Sequence, residues 1–383
     1  MPKSQHVLKK IRELCLARGF VYERENSHLL PQLHSCHYGP LGVEIKRNLL
    51  SKWWHETVIS RKNVHGIELT LLDQPSCWKR NHDQGQHWEE RPSYLSDVIG
   101  IALKIINGEE SIGLAHCLKT VNNNNVDQFL FKCLSRKEFY ELCFFCPTKK
   151  VNNWMDYWMR KRLSWWKKYA DIPGEFSLVD GDFREEFSQN NDVALTDTMA
   201  VQYNFPWGSE AMECITSYSD VGIWMNKSSL PNLEMGVIIA RMSIERGLLG
   251  YLLDAYHEHE SIITERNVAK HTILRLHPAL APVKVAIISL ETINTDLGHV
   301  AQQLTTELRQ AGINSHHFQV GCSLDVDKLT LGEDMIGTPY TVLIQDSTLT
   351  NGIVMLRNRD TTLSEYLHIS EILKTVQQHF YNI

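Results

Sequence analysis

The chain has 383 residues, of which 43% are hydrophobic and 22% are charged, and its formal net charge is -6. This length allows two or three compact domains, and the composition is that of a globular protein, which excludes disordered and fibrous classes. No run reaches the roughly 18 consecutive apolar residues of a membrane-spanning helix, so we expect no membrane partner. A mildly acidic total does not exclude nucleic acid, because binding depends on local basic patches.

The first segment has the pattern of a basic amphipathic helix. Over residues 1–20 the basic residues outnumber the single acid, Glu13, and Val7, Leu8 and Ile11 recur at helical spacing. Such a helix is typical of a mitochondrial import peptide, and it is equally typical of the first surface helix of a fold. Both interpretations are open at this point.

The nine cysteines have no framework spacing, which predicts free thiols in a reducing compartment. Cys143 and Cys146 have the interval of zinc and redox sites. They lie in the apolar run 139–147, which predicts a buried strand, and no second ligand pair is near, so we interpret them as buried thiols. His257 and His259 would lie on different sides of a helix, so we predict no metal site there.

The next elements alternate between helices and polar loops. A Gly-Pro turn at residues 39–40 begins an amphipathic helix over residues 41–59. Residues 74–92 have no apolar period and predict a long loop, which is followed by one helix that ends near residue 107. Residues 175–198 are acidic and rich in turn formers, so they predict a surface loop.

The most distinctive helix can be capped by Asn152 or Asn153 and ends before Pro173. It interleaves five cations with five aromatic side chains. This pattern is typical of nucleic-acid binding, because aromatic rings stack on bases and cations neutralise phosphates. A core helix with a solvated basic face is the alternative, since the spacing of the apolar residues alone explains burial. The candidate DNA-binding residues are Arg160, Lys161, Arg162, Lys167 and Lys168.

The last third of the chain predicts a second domain. A strand over residues 237–242 precedes a helix from about residue 245, and residues 263–282 have the pattern of a connector that ends in prolines. The domain boundary is predicted near residues 270–280. Beyond it, strands alternate with helices and include one hairpin-like pair, which predicts a small α/β domain with a mixed sheet.

Local spacing predicts no catalytic residues and no cofactor. The phosphate-binding pattern GxxxxGK[ST], the dinucleotide pattern GxGxxG and the nucleophile pattern GxSxG do not occur in a suitable context. The acidic residues Asp180, Asp182, Glu185 and Glu186 have no neighbouring base, which is typical of a solvated surface.

Several motifs nevertheless resemble those of a known family. The segments "HYGPLGVEIKRNLLSKWW" and "LHPALAPVKVAI" are similar to glycyl-tRNA synthetases. The segments "NNWMDYWMRKRLSWWKKYA", "YNFPWGSEAMECI" and "LRNRDTTLSEYLHIS" resemble more closely the accessory subunits of mitochondrial DNA polymerase gamma, which are related to those synthetases. The resemblance implies a class II synthetase-like antiparallel-sheet domain over residues 1–270, with a shortened helical insertion at about 62–113. It also implies a mixed α/β, anticodon-binding-like domain over residues 278–383.

The resemblance further implies a function and partners. Such a subunit binds the catalytic subunit of the polymerase and raises its affinity for primer-template DNA and its processivity, in the nucleoid of the mitochondrial matrix. Arg357, Arg359 and Asp360 lie in a loop region that the synthetases use near tRNA, so they are candidate polymerase contacts. A solvated strand end with local ion pairs is the alternative. A homodimer and a one-to-one complex with the polymerase both stay open, because the insertion is short.

Departures from the synthetase pattern imply a degenerate active site. These enzymes hold ATP with a glycine-rich stretch that ends in arginine, because only glycine lets the backbone approach the adenosine. Here residues 243–246 read Ser-Ile-Glu-Arg, and Glu213 is followed by Cys214 and Tyr218 where the pattern has glycine and arginine. An active glycyl-tRNA synthetase and a synthetase-like tRNA- or RNA-binding protein are the alternatives.

Overall fold

A computed structural model describes residues 2–23, 36–69, 78–80, 88–90, 93–106, 110–121, 130, 136–183, 197–224, 234–264, 267–290, 296–320 and 323–381. Within these residues the α-helices are α1 (Pro2–Ala17), α2 (Pro40–Trp54), α3 (Ser93–Ile105), α4 (Val151–Lys168), α5 (Ile244–Asp254), α6 (Asp296–Gln310), α7 (Ser323–Ile336), α8 (Asp346–Asn351) and α9 (Ile369–Tyr381). The first strands are β1 (Val21–Glu23), β2 (Cys36–Tyr38), β3 (Val64–Gly66), β4 (Trp78–Arg80), β5 (Trp88–Glu90), β6 (Ile112–Val121), β7 (Arg136–Pro147), β8 (Phe176–Asp180) and β9 (Asp197–Phe205). The remaining strands are β10 (Gly208–Tyr218), β11 (Met235–Ser243), β12 (Tyr256–Thr264), β13 (Asn267–Leu274), β14 (Val285–Leu290), β15 (Ser315–Val320), β16 (Tyr340–Ile344), β17 (Ile353–Asn358) and β18 (Ser364–His368).

A seven-stranded sheet forms the centre of the N-terminal part, in the order β3-β6-β7-β11-β10-β9-β8. All neighbouring pairs are antiparallel except β3 and β6, which are parallel. This is the antiparallel-sheet architecture that the motifs predicted. The predicted loop at 175–198 was wrong in its first part, because β8 is the edge strand of this sheet. Its Phe176 is fully buried, and strand alternation outweighs the turn formers that follow it.

Helices cover both faces of this sheet. On one face α2, α4 and α5 pack on the strands, and the fully buried Trp53, Trp158 and Trp166 fill the space between them. On the other face α3 packs through Val98 and Ile99. Each face therefore has its own apolar core, and burial of these large side chains is the main source of stability.

The first helix belongs to this core. In α1, Ile11, Leu14 and Cys15 are buried with the side chains of α2 and α4. An ion pair of 3.0 Å joins Lys10 to Glu258 on β12. Lys9, Lys10 and Arg12 lie outside this apolar stripe, so the described part of α1 has the arrangement expected of a first surface helix.

Two helix boundaries differ from the sequence prediction. Helix α2 ends at Trp54, and a single π-helical turn, His55–Ile59, continues it to the predicted end. Helix α4 begins one residue before Asn152, its N-cap is Lys150, and no side chain caps it. The expected asparagine cap was therefore wrong, because a 3₁₀ turn over Thr148–Lys150 leads directly into the helix.

The C-terminal part is a five-stranded mixed sheet in the order β15-β14-β16-β17-β18. The pairs of β14 are parallel, whereas β16, β17 and β18 are antiparallel, so the predicted hairpin-like pair is confirmed. The sequence analysis missed β18 and α8. The fold class, a synthetase-like sheet domain followed by a mixed α/β domain, agrees with this architecture.

The predicted connector after α5 is largely a β-hairpin. Strands β12 and β13 pair antiparallel up to Leu274, and each contains three β-branched residues, which favour strands. His257 and His259 consequently lie on one face of a strand and not on a helix. His257 is 2.6 Å from a carboxylate oxygen of Asp171.

Of the predicted loop at 74–92 the structure describes residues 78–80 and 88–90, which are the antiparallel strands β4 and β5, so a loop was wrong for these residues, and the rest of the range lies outside the described residues. Residues 184–196 of the predicted acidic loop also lie outside them. Cys143 and Cys146 are buried free thiols on β7, as predicted, and Cys15 and Cys214 are buried as well. In the described part of the chain no helix is both long and apolar enough to cross a bilayer.

Candidate functional site

The five predicted DNA-binding cations of α4 do not share one surface. Arg160, Lys161 and Lys168 are exposed, and Lys167 is half-buried. Arg162 is only 2% exposed, because it lies on the same stripe of the helix as Trp158 and Trp166. Arg162 is therefore excluded as a DNA-binding residue, and the other four cations remain candidates for DNA binding.

Arg162 is part of a buried polar cluster that joins α4 to the sheet. Its Nε donates to Glu213 Oε1 at 2.6 Å, and its Nη1 donates to Thr57 Oγ1 at 3.3 Å. Trp166 Nε1 donates to the second carboxylate oxygen of Glu213 at 2.6 Å. Both oxygens of this synthetase-like glutamate are thus bound by protein donors on the face that α4 covers.

A second buried cluster lies on the opposite face of the sheet. Arg241 donates to Glu141 and to the hydroxyl oxygen of Tyr94, which belongs to α3. Burial would raise the pKa of Glu141, but Arg241 and His116 together lower it below its ordinary value. Cys214 and Tyr218 are buried on this face too, in one apolar cluster with residues of α3, so apolar packing encloses the positions where the synthetase pattern has a glycine and an arginine.

The described residues contain one group with the composition of a metal site. A ring nitrogen of His116, a carboxylate oxygen of Glu141 and the sulfur of Cys143 lie within 4.8 Å of one another, and all three residues are buried. The guanidinium of Arg241 donates to the same carboxylate. A fixed positive charge at this position opposes a cation, so we assign the group to the buried hydrogen-bond network.

The polar side chains of residues 243–246 form hydrogen bonds within the protein. Ser243 Oγ accepts from Arg246 N–H and caps α5, and Arg246 Nη1 donates to the carbonyl of Ala211 at 2.8 Å. Glu245 Oε1 accepts from Glu138 N–H at 3.1 Å, whereas its Oε2 is buried without a hydrogen-bond partner in the described part of the chain. Burial raises the pKa of Glu245 to about 7.

Glu245→Gln is expected to stabilise the protein in a pH-dependent manner. A carboxyl group whose pKa is raised on folding stabilises the folded state fully below the pKa of the unfolded chain, and this contribution is lost as the pH rises through about 7. The amide keeps the acceptor for Glu138 N–H and removes the buried charge. We expect a gain of about 2 kcal/mol at pH ~8 and almost none at pH ~4.5.

Urea unfolding of both proteins at the two pH values measures this difference. Glu210→Gln is the matched control, because Glu210 lies on the neighbouring β10 with intermediate exposure. Equal gains at both pH values would contradict a titrating Glu245.

The candidate polymerase contacts are also engaged within the protein. Arg357 donates from both terminal nitrogens to Asp334 at 2.9 Å. Arg359 is buried and donates to the carbonyls of Gly337 and Leu276 at 2.6 and 2.9 Å. Of the three predicted residues, Asp360 is exposed, Arg357 is partly buried, and the buried Arg359 cannot contact a partner.

Sequence reasoning missed the exposed apolar residues beside this loop. Leu363 and Tyr366 are 71% and 74% exposed, and Tyr366 lies on the edge strand β18. The alternation of "TLSEYLHI" is the signal that could have identified an edge strand with one exposed face.

Comparisons with known proteins agree with this architecture. The anticodon binding domain family matches residues 284–379, which include the strands and helices of the five-stranded sheet. The chain is 29% identical to the DNA polymerase subunit gamma-2, mitochondrial, of Xenopus laevis, over 94% of the chain and 84% of that relative. It is 27% identical to the DNA polymerase subunit gamma-2 of Mus musculus, over 89% of the chain and 83% of the relative.

Glycine–tRNA ligases are more distant relatives. The ligase of Mycolicibacterium vanbaalenii is 24% identical over 97% of the chain and 98% of its own length. The ligase of Streptomyces coelicolor is 24% identical over 94% and 96%. The resemblance inferred from the motifs is thus confirmed, both to gamma-2 subunits and to the ligases.

Proposed function

We propose that this chain, a relative of the mitochondrial DNA polymerase subunits gamma-2, is a non-catalytic accessory subunit of a mitochondrial DNA polymerase. It would bind the catalytic subunit, raise the affinity of that enzyme for primer-template DNA and increase its processivity, within the nucleoid of the matrix. The similarity over 94% of the chain carries this proposal. Binding energy that slows dissociation from DNA is sufficient for the effect, and no chemistry is required of the subunit.

The packing on the seven-stranded sheet supports the proposal that the subunit is non-catalytic. Cys214 and Tyr218 are buried in the apolar cluster on one face of the sheet, and Glu245 and Arg246 already bind protein groups. A nucleotide would have to displace this apolar packing. The alternative is a glycyl-tRNA synthetase-like protein that acts on tRNA, and the glycine–tRNA ligase relatives keep it open. Glycine-dependent ATP–pyrophosphate exchange by the purified chain would favour that alternative.

We infer that the catalytic subunit contacts the edge formed by β17 and β18. Asp360, Leu363 and Tyr366 are exposed there, and exposed apolar side chains at a sheet edge are suited to a protein partner. For primer-template DNA the exposed cations of α4 are the candidates, since each neutralised phosphate contributes to affinity. The division into residues 1–270 and 278–383, the shortened insertion and the homodimer stay predictions.

The decisive experiment is primer extension by the cognate catalytic subunit on one long template. It is run at about 100–150 mM salt, with and without this chain, so that surface electrostatics are screened as in the cell. We expect longer products in its presence. Tyr366→Ser should shorten these products and weaken co-elution with the catalytic subunit, whereas Tyr22→Ser, another exposed tyrosine on a short strand, should change neither.

Unchanged product length, with the two proteins eluting separately on a sizing column, would overturn the proposal. Longer products that are equally long with Tyr366→Ser would preserve the accessory role and exclude the β17–β18 edge as the contact.

A further inference from the structure

Five basic side chains from four separate parts of the fold converge at the junction of the two sheets. Lys52 lies in the last turn of α2, and Lys168 lies in the last turn of α4. His277 and Lys284 belong to the segment between β13 and β14, and Arg359 follows β17. Cations in the last turn of a helix interact favourably with its dipole, which accounts for Lys52 and Lys168 separately but not for the convergence of all five.

Direct contacts hold this arrangement together. The rings of His277 and Tyr169 meet edge to face with centroids 5.1 Å apart, and Lys168 Nζ lies 5.5 Å from the Tyr169 centroid. Lys284 Nζ donates to the carbonyls of Pro278 and Ala279, the two residues that follow His277. Arg359 donates to the carbonyl of Leu276, the residue before His277.

The cations of this group are only partly compensated by acids, of which Glu56 acts on Tyr169. Within the described part of the chain, neither Lys52 nor Lys168 forms an ion pair with a carboxylate. Arg359 is paired with Asp360, while Glu44 acts on Lys284 only at longer range. By contrast, the exposed Arg160 is already paired with Asp156 at 3.0 Å. The α2–α4 end of the molecule therefore carries positive charge that remains available to an external anion.

The titration of His277 is consistent with this surplus of positive charge. Burial lowers the pKa of His277 most, and with the charges of Lys284, Lys52, Lys168 and Arg359, in that order, it brings this pKa to about 4. Burial and the neighbouring Lys52 likewise lower the pKa of Lys284 to about 7. His277 Nδ1 accepts from Ala279 N–H, so the neutral ring carries its proton on Nε2, where it can serve as a donor.

We propose that Lys52, Lys168 and His277 form a phosphate-binding site for the backbone of duplex DNA at the junction of α2, α4 and the segment that leads into the five-stranded sheet. This inference rests on the proposed accessory function, and it specifies where the subunit would contact DNA. Lys52 and Lys168 provide the charge, and His277 Nε2 provides a directed hydrogen bond. Lys161, about two turns before Lys168 on α4, extends the same side of the helix, and its Nζ lies 5.9 Å from the Tyr157 ring centroid.

The test compares duplex DNA binding by the full chain and by Lys52→Gln/Lys168→Gln, using a fluorescently labelled duplex at several salt concentrations. Each lost phosphate contact reduces the slope of log K against log[salt] by about 0.9, so the double variant should lose roughly two units of slope. Its affinity at ~100 mM salt should fall by about tenfold or more. Lys168 is exposed and Lys52 is only partly buried, and glutamine keeps most of each side chain, so the variant is expected to remain folded.

Lys150→Gln is the matched control. Lys150 is an exposed lysine at the other end of α4 and pairs with Glu110, and its loss removes a positive charge from the same helix. We expect this variant to keep the wild-type salt slope. An equal loss of slope in the control would indicate a general charge effect and would overturn the site.

A second measurement tests His277 at one pH. The neutral ring donates from Nε2, so His277→Gln can keep a side-chain donor whereas His277→Phe removes it. We expect His277→Phe to weaken duplex binding by about tenfold at pH ~7.5 without changing the salt slope, and His277→Gln to lose less. Equal affinity of His277→Phe and the wild-type chain would overturn the role of the histidine.

The possible results distinguish a failure of the phosphate-binding site from a failure of the proposed accessory function. Wild-type binding with an unchanged slope in the double variant overturns the site and leaves the accessory role intact. Tighter binding of an RNA duplex with the same loss of slope would assign the site to RNA and overturn the DNA assignment. No duplex binding at any salt concentration would overturn the site, while lengthened primer-extension products would still support the accessory role.

Discussion

Replacing Arg162 by methionine is expected to lower the free energy of unfolding by about 3–5 kcal/mol. The substitution leaves the carboxylate of Glu213 buried with Trp166 Nε1 as its remaining close donor. An ionised carboxylate without its partner is costly in a protein interior, and methionine keeps much of the apolar packing of the arginine stem. Equilibrium unfolding in urea measures the loss at neutral pH.

Arg160→Met is the control for this substitution. Arg160 lies two residues away on α4, is exposed, and forms an i,i+4 pair with Asp156. Loss of such a pair costs about 0.3–0.5 kcal/mol. If both variants lost the same stability, the buried pair between Arg162 and Glu213 would not contribute as inferred. A folded Arg162→Met protein should also retain its DNA affinity, because Arg162 has no access to phosphate.

Arg359→Met is expected to lower the free energy of unfolding by about 3 kcal/mol. The buried guanidinium donates to the carbonyls of Gly337 and Leu276, and both carbonyls would lose a charged donor. Leu276 belongs to the apolar core of the N-terminal part, while Gly337 ends α7, so the substitution weakens the contact between the two parts of the chain. Urea unfolding and hydrogen exchange of the Leu276 and Gly337 amides measure this effect.

Asp360→Asn provides the comparison for Arg359→Met. Asp360 is exposed and accepts from Arg359, but the bonds from Arg359 to the two carbonyls do not depend on it. We expect a loss below about 0.5 kcal/mol. A large loss with Asp360→Asn and a small loss with Arg359→Met would reverse the assignment of the stabilising bonds.

The sequence was sufficient for those elements whose pattern is local. The apolar run at 139–147 predicted a buried strand, and the alternation after residue 284 predicted a mixed sheet, since period and length distinguish these elements. The hairpin β12–β13 was missed because its apolar residues do not alternate with the polar ones, so neither strand has the period of two. Phe176–Asp180 was missed because turn formers surround a strand of five residues.

The candidate site depended on contacts between distant residues. A basic residue on α4 looks the same in the sequence whether it meets solvent, as Arg160 does, or a buried glutamate, as Arg162 does. Its position four residues from both Trp158 and Trp166 was the available signal for burial. No comparable signal brought Arg359 to Leu276, which is 83 residues earlier in the chain.

The buried thiols can report local unfolding of the protein, because each becomes reactive only when its surroundings open. Burial raises the pKa of Cys15 and of Cys214 to about 12, so both are almost entirely protonated at physiological pH and react slowly with alkylating reagents. Cys15 lies on the first helix and Cys214 on the central sheet. Peptide-resolved alkylation rates at these two cysteines would therefore show whether α1 detaches from the core before the sheet itself opens, without any introduced label.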